Sequence, residues 1–151
     1  MTLLTKDTQI IVVNDDNFKL VRELLAPSIK EGYAFVQKTM EEWENGASRF
    51  NRPGEQLYGL LRAGQLTGIG GLSYDPYIEN PNVGRVRHLY IRQEHRRKGY
   101  GRILMENIIH HARQHFITLR LFTDNPDAYL FYETLGFMRT NSYKVSHILH
   151  L

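Results

Sequence analysis

Cysteine is absent from this chain of 151 residues. That absence excludes a disulfide framework, a thiolate zinc site, an iron–sulfur cluster and a cysteine nucleophile. No apolar run approaches the ~20 residues of a membrane span. The amino end, residues 1–13, lacks both the charged start and the apolar core of about 7–15 residues that mark a secretory leader. A cytoplasmic location is the resulting expectation. Repeats, low-complexity tracts and Pro/Gly/Ser linkers are also missing, so one domain over 1–151 is expected. What is present is ordinary for a globular chain, with 42% hydrophobic and 23% charged residues. A chain of this length buries roughly 68–70% of its unfolded surface and needs no covalent staple.

Charge is unevenly placed. The formal total is +3, yet Arg85, Arg87, Arg92, Arg96, Arg97, Lys98 and Arg102 stand against Glu94 alone. Residues 85–102 therefore carry +6 and leave −3 for the remainder. An anionic ligand, if the protein has one, belongs there; a solvated basic loop is the plainer reading of such a run.

The hydrophobic pattern reads as a strand at 9–13, followed by a helix carrying Phe18, Val21 and Leu25. Asn14, Asp15 and Asp16 supply N-cap residues for it, and Pro27 ends it. A second helix fits 33–44, with Val36, Met40 and Trp43 on one face and Gly46 after it. Residues 57–61 and 66–74 form a hairpin around Ala63-Gly64, and a fourth strand covers 85–91. A helix starting near Gly99 keeps Tyr100, Leu104, Ile108 and Ala112 together. Ile117, Leu119 and Leu121 alternate as a fifth strand. Asn125-Pro126 opens a short helix bearing Ala128, Phe131, Tyr132 and Leu135, which Gly136 stops. Residues 137–140 and 143–151 form a final pair of strands around Asn141-Ser142. This order implies an α/β (α+β mixed) fold, a mixed sheet with helices on its faces.

Chemistry concentrates in Arg96-Arg97-Lys98-Gly99-Tyr100-Gly101-Arg102, between a strand and a helix. Two glycines one residue apart let the backbone turn tightly and bring its N–H groups to a ligand. Unsatisfied N–H groups and the positive end of the dipole both face that position, where phosphate is the usual occupant. Spelling rules out a P-loop, which needs GxxxxGK[ST], and a dinucleotide fingerprint, whose third glycine is replaced by Leu104. His111 and His115 share a helix face, but HARQH lacks the glutamate of HExxH and no third ligand is in view, so no metal is expected.

The chain resembles the GNAT superfamily of acetyl-CoA-dependent N-acetyltransferases. The resemblance rests on Leu89-Tyr90-Ile91, on Arg96-x-x-Gly99-x-Gly101, and on Asn125-x-x-Ala128-x-x-Phe131-Tyr132-x-x-x-Gly136-Phe137. It implies a mostly antiparallel sheet of about seven strands flanked by about four helices, splayed between the fourth and fifth strands to admit acetyl-CoA. Carried onto this sequence, the backbone of Leu89, Tyr90 and Ile91 would pair with the pantetheine arm. Arg96 would belong to the same cofactor site, and the N–H groups of Arg97, Lys98, Gly99, Tyr100, Gly101 and Arg102 would cradle the pyrophosphate. Asn125 would contact the pantetheine, Ala128 and Tyr129 would line the cofactor, and Tyr132 would sit near the sulfur as general acid. Dimers are common in that superfamily.

The resemblance implies acetyl transfer to a primary amine by direct attack in a ternary complex, with the Ile91 N–H polarising the thioester carbonyl. The acceptor is not legible. Nor is a base, because alternation from Ile91 places Arg87 and Arg85 toward the acceptor and His88 on the opposite face. Neither arginine can accept a proton. Water relays, Asp75 or Glu79 would then stand in. The arginines would pair with acids of this chain or, as the second reading, with a carboxylate of the acceptor. Two other functions compete: acyl-CoA binding without catalysis, and nucleic-acid binding through the basic segment. The −3 of the remainder and the lack of a nucleic-acid motif weigh against the latter, so neither nucleic acid nor membrane is expected as a partner.

Overall fold

A computed structural model describes residues 7–151 and the backbone of residues 2–3. The reading of the amino end as leaderless therefore falls partly outside the described residues. The strands are β1 (Thr2–Leu3), β2 (Thr8–Val12), β3 (Gln56–Arg62), β4 (Gln65–Tyr74), β5 (Val83–Ile91), β6 (Thr118–Leu121), β7 (Met138–Ser142) and β8 (Val145–His150). The helices are α1 (Lys19–Arg22), α2 (Leu25–Lys30), α3 (Phe35–Asn45), α4 (Tyr100–Ala112) and α5 (Tyr129–Thr134). One sheet runs β1-β2-β3-β4-β5-β6-β8-β7. All neighbours are antiparallel except β5 and β6. The short β1 shifts the count, so the predicted fourth and fifth strands are β5 and β6.

Each face of the sheet carries its own core. Leu104, Met105, Ile108, Ile109 and Ala112 of α4 recur at helical spacing and pack with Leu60, Leu72, Val86 and Leu119. On the other face, Val21, Leu24, Val36 and Trp43 of the α1–α3 layer pack on Leu57, Leu66, Ile69 and Tyr90. The β3–β4 hairpin closes through Ala63 and Gly64, both at positive φ (50° and 80°), the conformation a two-residue turn needs to match strand twist.

Three expectations are corrected. Pro27 does not end a helix. It sits in the first turn of α2, where its missing N–H has no intrahelical partner to lose, and Leu24 rather than Leu25 enters the core. Ile117 lies outside β6 and is 63% exposed, while Leu119 and Leu121 are buried. The last hairpin turns at Tyr143-Lys144, with Ser142 opposite Val145 and Lys144 at φ 58°.

The parallel ladder of β5 and β6 holds only three pairs, Val83 with Thr118, Gly84 with Leu119 and Arg85 with Arg120. Two arginines thus face each other on the last rung, where like charges repel. The fully buried carboxylate of Asp75 sits between them, 3.3 Å from Arg85 Nη1 and 3.1 Å from Arg120 Nε. The Arg120 contact is an ion pair without hydrogen-bond geometry. Beyond this rung the strands part. Asp75→Asn, which leaves both guanidiniums buried without a counter-charge, is expected to cost about 3–5 kcal/mol. The reading is a lower urea midpoint at unchanged slope; wild-type stability would show that this carboxylate does not hold the rung.

Candidate active site

Where β5 and β6 part, a cleft of about 830 Å³ opens. Its first wall is the free edge of β5. In an antiparallel ladder, hydrogen-bonded and non-hydrogen-bonded pairs alternate. The Arg92 N–H donates to Thr67 O at 2.8 Å, so the neighbouring pair of Ile91 with Gly68 is the non-hydrogen-bonded kind. Ile91 therefore turns its N–H and C=O away from β4. The carbonyl accepts from Arg96 Nε at 2.9 Å, and the N–H is left toward the cleft. By the same alternation Tyr90 directs its backbone groups at β4.

The second wall is the start of α4. Its N-cap, Gly99, is left-handed (φ 84°) and no side chain caps the helix, so the first-turn N–H groups remain open to a ligand. A Cβ on Gly99 would meet nothing within 4 Å; the glycine is required by backbone conformation rather than by packing. Arg96 is engaged elsewhere. Its guanidinium grips Glu31 at the end of α2 with two contacts, Nη1 at 2.6 Å and Nη2 at 2.9 Å. The Tyr90 hydroxyl donates to the same carboxylate at 2.6 Å. Burial, and then Glu31, push the Tyr90 phenol well above its ordinary range. Arg85, Arg92 and Arg96 thus point inward, to Asp75, Leu66 O and Glu31, and the exposed cations of the segment are fewer than the sequence suggests.

The third wall follows β6. Asn125 Oδ1 accepts from Asp127 N at 3.1 Å and caps a short 3-10 turn with Pro126 behind it. That turn leads into α5, which carries Tyr132 into the cleft. The Tyr132 ring is 9% exposed, its hydroxyl makes no hydrogen bond among the described residues, and burial pushes its pKa up to about 12.

Of the residues singled out from sequence, Leu89, Tyr90, Ile91, Arg96, Arg97, Gly99, Tyr100, Gly101, Arg102, Asn125, Ala128 and Tyr132 line the cleft. Lys98 and Tyr129 do not. Tyr129 instead packs on His147 and lies under Arg139. Glu133 accepts from both Arg139 and His147, which fastens α5 to β7 and β8. Tyr33, Phe35, His95, Phe122 and Thr123 also line the cleft and carry no motif that sequence reasoning could seize.

The alternation argument for β5 fails at one place. Ile69 pairs with Tyr90 but Gly71 pairs with Arg87, so β5 holds one extra residue and bulges. His88 sits in the bulge at φ 59°. The bulge brings His88 to the cleft beside Phe35, edge-on to Phe50 at 6.2 Å between centroids; it does not lie on the face opposite Arg87. Burial, then the charges of Arg87 and Lys38, lower its pKa to about 3 against an opposing contribution from the Phe35 backbone. Asp75, considered from sequence as a base, is buried between its two arginines. Glu79 is exposed and outside the cleft. Among the described residues no group of three metal-ligating side chains gathers, and no helix is long and apolar enough to cross a membrane.

A family model for the acetyltransferase (GNAT) family matches residues 18–137. A candidate acetyltransferase from Exiguobacterium sp. 255-15 has 30% identity over 95% of this chain and 93% of its own, with a TM-score of 0.82. A GNAT-family acetyltransferase from Staphylococcus aureus Mu50 has 18% identity over 95% and 99% of the two chains, with a TM-score of 0.76. A candidate acetyltransferase from Salmonella typhimurium, solved with its cofactor acetyl-CoA, has 15% identity over 97% and 95%, with a TM-score of 0.73. The matched residues span both the β5–α4 and the β6–α5 walls, and with them the whole chain up to Phe137 from α1 onward: this protein belongs to the GNAT acetyltransferase family.

Proposed function

We propose that the protein is a cytoplasmic N-acetyltransferase that moves the acetyl group of acetyl-CoA to a primary amine in a single ternary complex. The observation that carries this reading is the free edge of β5, with the Ile91 N–H turned into the cleft beside the uncapped start of α4. A pantetheine arm can lie along that edge as an added strand, while the first-turn N–H groups of α4 receive the pyrophosphate. When bound, acetyl-CoA supplies an activated thioester carbonyl.

The balance of the step is simple. The acceptor nitrogen forms a C–N bond with the carbonyl carbon, the C–S bond breaks, and its electron pair goes to sulfur. One amine proton is released and one is taken up by sulfur, giving an amide and a free thiol. The Ile91 N–H stabilises negative charge developing on the carbonyl oxygen. Tyr132 holds a proton near the sulfur. A phenol near pKa 12 giving its proton to a thiolate near ~8.5 goes uphill by roughly 5 kcal/mol, so Tyr132 acts chiefly as a hydrogen-bond donor to the departing sulfur. His88, neutral and uncharged at any physiological pH, is too weak a base to deprotonate an ammonium; the amine arrives neutral from solvent.

Acetyl-CoA at a hundredfold excess over its dissociation constant should stabilise the protein by about 2.7 kcal/mol, and a melting temperature unmoved by millimolar acetyl-CoA would refute the reading. A Cβ at Gly101 meets only ordinary contacts, Phe131 at 3.4 Å being the nearest. Gly101→Val should therefore fold yet bind acetyl-CoA more weakly, because its methyls occupy the approach to the helix start. Isothermal titration of the folded variant reads this directly; unchanged affinity would place the phosphates elsewhere.

Tyr132→Phe keeps the ring and removes one hydroxyl. Turnover should fall by about 10–150-fold, the worth of one hydrogen bond to a charged group, with acetyl-CoA affinity nearly unchanged. The wild-type rate should rise with pH as the acceptor loses its proton. With His88 titrating near 3, no inflection belongs at pH ~6.5, the ordinary histidine value. A plateau from that pH, or full activity in Tyr132→Phe, would overturn these assignments.

A further inference from the structure

Helix α5 cannot hold its own position. It is six residues long and no side chain caps its start, well short of the roughly 12–15 residues at which an isolated helix becomes even marginally stable in water. It carries Tyr132, whose hydroxyl has no hydrogen-bond partner among the described residues. The place of the phenol is therefore set by what touches its ring: Phe131 at 5.0 Å, Phe137 at 5.9 Å and His147 at 6.0 Å between centroids.

His147, on β8, differs from the other two in being polar, and it is fully buried. It meets Tyr129, Tyr132 and Glu133, the i, i+3 and i+4 positions that share one face of α5. Both ring nitrogens are engaged. Nε2 lies 2.8 Å from Glu133 Oε2, and Nδ1 lies 3.0 Å from Ser146 Oγ. A carboxylate only accepts, so Nε2 carries the proton. Nδ1 of the neutral ring then accepts from the Ser146 hydroxyl, which itself accepts from the Thr123 N–H at 2.9 Å. Thr123 Oγ1 accepts in turn from the Asn125 N–H at 3.2 Å. The chain of hydrogen bonds thus runs from the third wall of the cleft to the residue beside Tyr132. An apolar side chain would fill the place of His147 without desolvating an imidazole. What the imidazole adds is a fixed ring plane, because hydrogen bonds at both nitrogens stop it from turning.

We propose that His147 is a positioning residue for acetyl transfer: held between Ser146 and Glu133, it sets the place of the Tyr132 hydroxyl relative to the departing sulfur. This rests on the acetyl-transfer reading above, with Tyr132 as the donor to sulfur. His147 is not among the residues lining the cleft and acts only through Tyr132.

The test is a double-mutant cycle on the full chain. It is read as thiol release at saturating acetyl-CoA, with the fastest acceptor from a panel of amino acids, polyamines, amino sugars and lysine peptides. His147→Leu removes both hydrogen bonds and should lower kcat by about 10–100-fold, since a misplacement of ~1 Å can cost about 10²-fold, while the acetyl-CoA dissociation constant holds. In a Tyr132→Phe background the same substitution should cost almost nothing further, because the hydroxyl it positions is gone. His147→Gln, whose amide N–H reaches Glu133, should recover part of the loss. Arg139→Ala removes only an exposed ion pair to Glu133 and should leave kcat nearly unchanged. Equal losses from His147→Leu in the two backgrounds overturn the inference, as does an unchanged kcat in His147→Leu, or an Arg139→Ala variant as slow as His147→Leu. Should His147→Leu fail to fold, Glu133→Ala breaks the same link from its more exposed end and is held to the same criteria. Full activity in Tyr132→Phe alone, or transfer to no amine of the panel, is instead the failure of the acetyl-transfer reading and takes this inference with it.

Discussion

One buried carboxylate decides the shape of this molecule. Parallel strands β5 and β6 would ordinarily stay paired along their length, yet they meet on three rungs and then diverge. The last rung sets Arg85 against Arg120, a juxtaposition that only a counter-charge makes tolerable. Asp75, anchored at the end of β4 and accepting from the Tyr77 N–H as well, supplies it. A buried ion pair is a poor source of net stability. Its value here is positional, because it fixes where pairing stops and hence where the cleft begins.

The far end of the cleft has a second anchor. Glu31 gathers the Tyr90 hydroxyl and the Arg96 guanidinium, and Arg96 reaches on to the Ile91 carbonyl. That set joins α2, the tip of β5 and the loop before α4. Ile91 thereby has its carbonyl held by the protein and its N–H left over, a direction fixed by ladder parity rather than by any side chain of its own. The basic segment looks like a phosphate trap in sequence. In the folded chain Arg85, Arg92 and Arg96 are internal scaffolding, and on the proposed reading the backbone of the α4 start is the more direct anion site.

Much of this was legible in the residues. Alternation gave the strands, glycine gave the helix stops at Gly46 and Gly136, and Asn125-Pro126 marked a cap that the structure contains. Arg96-x-x-Gly99-x-Gly101 and the Asn125 to Phe137 run pointed to the two walls of the cleft. What failed did so for local reasons. A period-two count assumes no inserted residue, so the bulge at His88 moved a side chain to the wrong face on paper. Pro27 reads as a stop unless its place in a first turn is known. Gly68 carries no turn signal, yet a Cβ there would lie 2.6 Å from the Tyr90 carbonyl oxygen; close strand approach leaves no trace in a propensity. Asp75 and Glu31 are far in sequence from the partners they organise.

Burial keeps two titratable groups of the cleft, Tyr132 and His88, neutral from opposite directions. The Tyr132 phenol is held protonated by a pKa raised to about 12 and the His88 imidazole unprotonated by one lowered to about 3. Neither change of charge is open to them near neutral pH, so on the proposed reading proton movement falls to the acceptor and to solvent, while the chain contributes fixed dipoles. Dipoles that do not reorganise favour a reaction whose charge develops in one place. On the proposed reading the cleft divides its labour by strand position, the Ile91 N–H serving the carbonyl and Tyr132 the sulfur.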